Sequence, residues 1–159
     1  MRVLPKDPGL LTVYCDGAAR GNPGPAGIGV VLKGRGGKVL VQVAKGIGVA
    51  TNNVAEYGAA LEGLRRAAEL GSRRVILRSD SKLLIEQLSA RWRVKNPTLI
   101  RLHEEVRELL GRFDSVTFEH VPRELNRSAD RLANRGVDEW LAGPGRDYRP
   151  PEATPDLFD

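Results

Sequence analysis

Apolar residues in this chain fall first into short alternating runs and later into helical spacings. Residues 10–16 alternate well enough for a strand, and residues 26–33 and 38–45 read as two more. Gly34-Arg-Gly-Gly between the last two predicts a hairpin, and Val39, Val41 and Val43 share one face. The period changes from about residue 53 to 70, where Val54, Tyr57, Leu61, Leu64 and Ala68 recur at helical spacing and Gly71 is the stop. Residues 74–79 read as a short apolar strand. A short helix follows over 81–90 and turns Leu84, Ile85 and Leu88 inward. Pro97 opens another helix, whose buried stripe is Leu99, Leu102, Val106, Leu109 and Phe113. Residues 115–121 are the last strand, and 126–141 the last helix, with Leu132, Ala133, Val137 and Trp140 inward.

The resulting order, β-β-β-α-β-α-α-β-α, places three hairpin-type strands before alternating helices and strands. It predicts an α/β fold on a mixed sheet, with right-handed crossovers joining the later strands. Residues 1–9 form a short lead-in with two prolines, and 10–142 form one domain. Residues 143–159 are rich enough in Pro and Gly to be expected as a flexible tail. No internal repeat is visible.

Composition narrows the setting. The 159 residues suffice for one domain with a real core, and apolar and charged fractions are those of a globular protein. The net charge of +5 favours a polyanionic partner, although a solvated basic surface has the same charge. Arg outnumbers Lys, which suits forked phosphate contacts and is equally a mark of GC-rich codon usage. The single Cys15 cannot form an internal disulfide, so a reducing, cytoplasmic location is expected. Neither a signal peptide nor a membrane span is expected.

Four acids carry the candidate chemistry. Asp16 ends the first strand and Asp80 ends the 74–79 strand. Glu56 and Asp130 lie at the starts of the first and last helices. Each has an ordinary explanation alone. Asp16-Gly17 is a turn signal, Asn53-Val-Ala-Glu56 matches a capping box, Asp80 suits a helix N-cap, and Asp130 sits in a first helical turn. Jointly they predict more. Sites in open sheets with crossovers collect at the carboxyl ends of strands. Acids brought together there repel one another and take up protons unless hard cations neutralise them. In a basic protein, that combination points to metal-assisted chemistry on phosphates.

Four stretches then resemble the type-1 ribonucleases H, in family order. They are Tyr14-Cys-Asp-Gly-Ala-Ala-Arg-Gly-Asn-Pro-Gly-Pro-Ala-Gly-Ile-Gly, Thr51-Asn-Asn-Val-Ala-Glu-Tyr, Ser79-Asp-Ser-Lys-Leu-Leu and Val121-Pro-Arg-Glu-Leu-Asn-Arg-Ser-Ala-Asp-Arg-Leu-Ala-Asn. The resemblance covers roughly residues 10 to 142. It implies an RNase H-like fold, a five-stranded mixed sheet with helices on both faces. It also implies endonucleolytic cleavage of the RNA strand in RNA–DNA hybrids, leaving 5′-phosphate and 3′-hydroxyl ends. Carried over by position, Asp16, Glu56, Asp80 and Asp130 are the catalytic metal ligands. They would hold two Mg2+ ions, with Mn2+ as the alternative, roughly 3.5–4 Å apart and bridged by Asp16.

Recognition of the hybrid's minor groove needs small groups and close backbone approach. Gly17, Gly21 and Gly24 permit that approach, and Asn22, Asn52 and Asn53 supply amides at positions that lie along the minor groove in the family. The resemblance places Thr51 at a phosphate of the DNA strand; turn and cap chemistry is the other reading of all these positions.

Two departures stand out. The loop His of many relatives is not matched, because His120 lies on the strand, where it reads as a partly buried residue. Arg123 or Arg127 is the candidate for the scissile phosphate instead, and Glu124 reads as surface charge. The basic protrusion of some members is also missing. In its place, Arg91-Trp-Arg-Val-Lys-Asn-Pro offers Trp92 for stacking or packing, with Arg93 and Lys95 for backbone contacts. A monomer is expected, with the hybrid as partner and no membrane. The terminal Pro155-Asp-Leu-Phe-Asp loosely resembles peptides that dock on bacterial sliding clamps, and a solubilising end is the plainer reading. The competing function is a non-catalytic nucleic-acid-binding module on the same fold, which usually lacks one of the acids.

Overall fold

The computed structural model describes residues 7–151, so the clamp-like Pro155–Asp159 peptide lies outside the described residues. Among the described residues, five strands form one sheet: β1 (Leu10–Ala19), β2 (Gly24–Lys33), β3 (Val39–Ala50), β4 (Arg74–Ser79) and β5 (Ser115–His120), in the order β3-β2-β1-β4-β5. β1–β2 and β2–β3 pair antiparallel, whereas β1–β4 and β4–β5 pair parallel, so the sheet is mixed as expected. β1 and β3 run several residues past the C-terminal ends of the stretches that announced them, and β2 starts two residues earlier. Small residues such as Gly17, Ala18 and Gly46 carry no alternation signal, yet the ladder continues through them.

The described residues form four α-helices that cover the sheet: α1 (Asn52–Glu69), α2 (Lys82–Leu88), α3 (Pro97–Leu110) and α4 (Arg127–Ala142). α1, α2 and α3 share one core with Leu11, Val13, Cys15, Val30 and Leu77 of the sheet. Alternation along β2 sends Val30 to that face and its neighbours Gly29 and Val31 to the other. There α4 lies almost backbone to backbone on the strands. A Cβ at Gly27 would press on Val137 N at 2.7 Å, and one at Gly136 on the Lys45 backbone at 2.6 Å. The inward face of α4 is therefore Ala129, Ala133, Gly136 and Val137, while Leu132 and Trp140, expected inside, are half-buried. Apolar periodicity weighted the large residues, and close approach selected the small ones.

The helix starts also differ from expectation. Thr51 caps α1 by accepting from Val54 N–H (3.2 Å), and Ser81 caps α2 by accepting from Leu84 N–H (3.2 Å). Neither Asn53 nor Asp80 is the cap, and no capping box engages Glu56. Those two acids are thus free of helix-end duty. The tail expected from residue 143 begins as turns folded back on α4: Gly145 packs on the Trp140 ring, and the Tyr148 and Trp140 centroids lie 6.1 Å apart.

Candidate active site

The parallel register of β1 and β4 brings two acids to one edge. Tyr14 pairs with Arg78, so Asp16 and Asp80 emerge side by side past the ends of the paired segments. Gly17, the residue after Asp16, has no room for a Cβ against the Ala55–Glu56 backbone. The start of α1 therefore sits directly on β1. Gly17 N–H donates to Glu56 Oε2 (3.1 Å) and to Asp16 Oδ1 (3.0 Å), fixing both carboxylates about one backbone amide. On the other face, Asp16 lies opposite Gly29 across β1–β2, and a Cβ on Gly29 would sit 2.5 Å from Ala133 N. That closeness delivers the first turn of α4, with Asp130, to the same place.

Oxygens of Asp16, Glu56 and Asp80 all lie within 4.8 Å of one another, close enough to hold a metal ion. Asp130 lines the same cleft. Asp16 is only 4% exposed. Burial, then the Glu56 and Asp80 charges, push its carboxyl far above the usual carboxylate range. Burial raises Glu56 as well, and Asp80 adds to it, while the hydrogen bonds from Asp16 and Gly17 pull in the opposite direction. Burial and mutual repulsion thus favour the protonated forms of Asp16 and Glu56 when no cation is bound. A divalent cation would replace those protons, so the donor set fits such an ion.

The remaining cleft walls are Gly17, Ala18, Ala19, Asn52, Arg123 and Asn134. Arg123 thus stands beside the acids. Asn134 was missed. It lies one helical turn after Asp130, and its Nδ2 donates to the Asp130 carbonyl (3.1 Å) and carboxylate (3.4 Å). The i,i+4 spacing from a candidate acid was the available signal. His120 is exposed rather than partly buried, with Nε2 at 3.2 Å from the Asp80 carbonyl oxygen. Among the described residues β5 is an edge strand.

The substrate candidates divide into groups. Asn22 Oδ1 accepts from Asn52 N–H (3.1 Å), locking the β1–β2 loop to the start of α1. The Asn52 and Asn53 side chains are exposed beside that junction. A second groove is lined by Asn53, Trp92, Arg93, Lys95 and Asn96. Trp92 is 43% exposed and carries Lys82 Nζ 5.8 Å from its ring centre. The core holds this stretch in place: Tyr57 O–H donates to Gln87 Oε1 (2.6 Å), and Gln87 Nε2 donates to the Arg93 carbonyl (3.3 Å). Gly17 lines the acid cleft, and its missing side chain is also required by α1 packing.

Known proteins share this architecture. The family model described as Reverse transcriptase-like matches residues 14–136. Ribonuclease HI of Halobacterium salinarum is 44% identical over 137 residues, which is 86% of this chain and 69% of that protein. The crystal structure of RNase H1 from that archaeon superposes with a TM-score of 0.80, covering 82% of this chain and 99% of that one. A bifunctional protein of Mycobacterium tuberculosis is 43% identical over 141 residues, 88% of this chain, and the chain spans 39% of that protein's length. The crystal structure of LC11-RNase H1 in complex with an RNA/DNA hybrid gives a TM-score of 0.79 at 39% identity, covering 82% of this chain and 99% of that one.

Proposed function

The chain belongs to the type-1 ribonuclease H family, and on that premise we propose that it cleaves the RNA strand of RNA–DNA hybrids by metal-assisted hydrolysis. The observation that carries this reading is the convergence of Asp16, Glu56 and Asp80 within 4.8 Å, with Asp130 on the same cleft. A relative at 39% identity binds an RNA/DNA hybrid on the same fold, which supports the hybrid as substrate here.

Each residue has a task in this scheme. Asp16, Glu56, Asp80 and Asp130 would hold two divalent cations, magnesium with manganese as the alternative, because all-oxygen carboxylate sets suit both ions. When bound, the ions supply a water nucleophile at neutral pH and positive charge for the leaving 3′ oxygen, so the products carry 5′-phosphate and 3′-hydroxyl ends. Asp16, the most buried of the four, would contribute its carboxylate to holding the ions. Arg123 holds the phosphate beside the acids. Asn22 and Thr51 set the start of α1 so that the Asn52 and Asn53 amides face the minor groove, where the 2′-hydroxyl separates RNA from DNA. Trp92, Arg93 and Lys95 take the backbone farther along. The chain acts as a monomer, and the reduced Cys15 suits the cytoplasm.

Cleavage assays on RNA–DNA hybrid, duplex DNA and duplex RNA, with and without magnesium, test the proposal. Magnesium-dependent cutting of hybrid alone, abolished by Asp16→Asn, is the expected result. Hybrid binding without cleavage would replace it with a non-catalytic module.

A further inference from the structure

Among the described residues, one buried side-chain atom has no hydrogen-bond partner: Asn126 Oδ1. Asn126 is 1% exposed and stands immediately before α4. Asparagine there normally turns its side-chain oxygen onto the first helical N–H groups. Asn126 makes no such bond. Its side chain points instead into the junction between the sheet and the acids. Nδ2 donates to the Cys15 carbonyl at 2.9 Å and lies 3.4 Å from Asp80 Oδ1. The Asn126 carbonyl accepts from Asp130 N–H at 3.1 Å. One residue thus contacts the peptide preceding Asp16, the carboxylate of Asp80 and the turn that presents Asp130.

Buried polar atoms in native proteins are nearly always paired, so an acceptor left bare beside a forgone cap calls for a reason. The reason lies in the donor. A group behind the acids must hold a carboxylate without cancelling the negative charge that draws a cation. Lys or Arg would restrain Asp80 equally well, but their charge would compete with the metal. A neutral amide donates without that competition. Asn126 also stands behind the acids. It lines the cavity walled by Tyr14, Val31, Val121 and Ala129, and it is not among the residues facing the acid cleft.

We propose that Asn126 is a positioning residue for the acid cluster, its amide fixing the Asp80 carboxylate against the end of β1 so that Asp16 and Asp80 present their oxygens to one cation. The inference rests on the metal-dependent reading above. Removing a partner that orients a metal ligand typically weakens metal affinity by about 10–100-fold.

Two substitutions separate positioning from architecture. Asn126→Leu keeps the approximate shape and removes the donor. Asn126→Ser supplies a good helix cap but is one atom too short to reach Asp80. The measurement is the magnesium concentration that half-saturates the rise in melting temperature of the substrate-free protein, together with kcat and KM on an RNA–DNA hybrid. Both variants should fold and need about 10-fold or more magnesium, with KM for hybrid within about 2-fold of wild type. Asn126→Ser should show the metal defect even where its metal-free melting temperature equals that of wild type. In an Asp80→Asn background, Asn126→Leu should add little. Half-saturation within about 2-fold of wild type in either folded variant overturns the inference, as does loss of fold in both, which would make the residue purely architectural. A wild type that shows no magnesium-induced shift and no cleavage sinks the parent reading instead.

Discussion

Asp16 and Gly29 face each other across β1 and β2, and the bare backbone of Gly29 is what lets α4 come down beside the acid. The absence of a side chain on one strand thereby sets where Asp130 stands relative to Asp16.

Gly29→Ala tests this coupling. The added methyl would meet the Ala129 and Ala133 backbone, which cannot yield as a flexible side chain would. Overpacking of this kind costs about 1–3 kcal/mol, read as a lower denaturant midpoint at unchanged slope. Cleavage should fall further than stability explains, because the helix that moves carries Asp130. A variant of wild-type midpoint and activity would show that α4 accommodates the methyl freely.

The proton content of the cluster predicts an unusual pH dependence. Burial and mutual repulsion push Asp16 up to about 10 and Glu56 up to about 8 in the metal-free fold. Ordinary carboxylates in the unfolded chain titrate near about 4. Between those limits the native state holds more protons than the unfolded one, so stability falls as pH rises. The contribution is complete below the unfolded value and lost as pH climbs through 8 towards 10. In chelator, the melting temperature should therefore drop from mildly acidic to alkaline pH. Saturating magnesium should remove much of that drop, since the ion takes the place of the protons. Parallel curves with and without the ion would contradict the scheme.

Neutralising single acids separates ion binding from repulsion. Asp16→Asn should abolish cleavage yet raise metal-free stability at alkaline pH, because it deletes the most buried of the crowded charges. Asp80→Asn should shrink the magnesium-induced rise in melting temperature relative to wild type. Equal rises in wild type and Asp80→Asn would mean that the two acids do not share an ion.

The groove around Trp92 predicts a salt effect. Arg93→Ala combined with Lys95→Ala should weaken hybrid binding about equally for all sequences. Each lost phosphate contact should flatten the dependence of log affinity on log salt by about 0.7–0.9. Unchanged low-salt affinity would remove this groove from the binding surface.

The contrast between large and small residues explains what the sequence made visible. Alternation at Leu11–Cys15 and helical spacing at Leu61 and Leu64 announced their elements, because large apolar groups must turn to the core. The four acids were legible because strand ends and helix starts are marked by Asp-Gly and capping signals. Which of those signals actually caps was not: Thr51 and Ser81 took the helix ends, leaving Glu56 and Asp80 for the cleft. Asn126 and Asn134 were hidden, since an amide one turn or less from Asp130 has no pattern of its own until the backbone bends it inward. The inner face of α4 was misjudged for the same reason, because close approach at Gly27, Gly29 and Gly136 depends on the strand opposite.

A molecule of net charge +5 that gathers four of its 20 acidic side chains in one cleft has an attractive exterior and, once those four are ionised, a repellent centre for a polyanion. On the reading proposed above, hybrid would settle on the rim around Trp92 while the phosphate above Asp16 stays at a distance until a cation takes the place of the protons and remaining charge beneath it. Scarcity of magnesium would then leave the protein riding on its hybrids without cutting them, and a rise in the ion would act as the trigger.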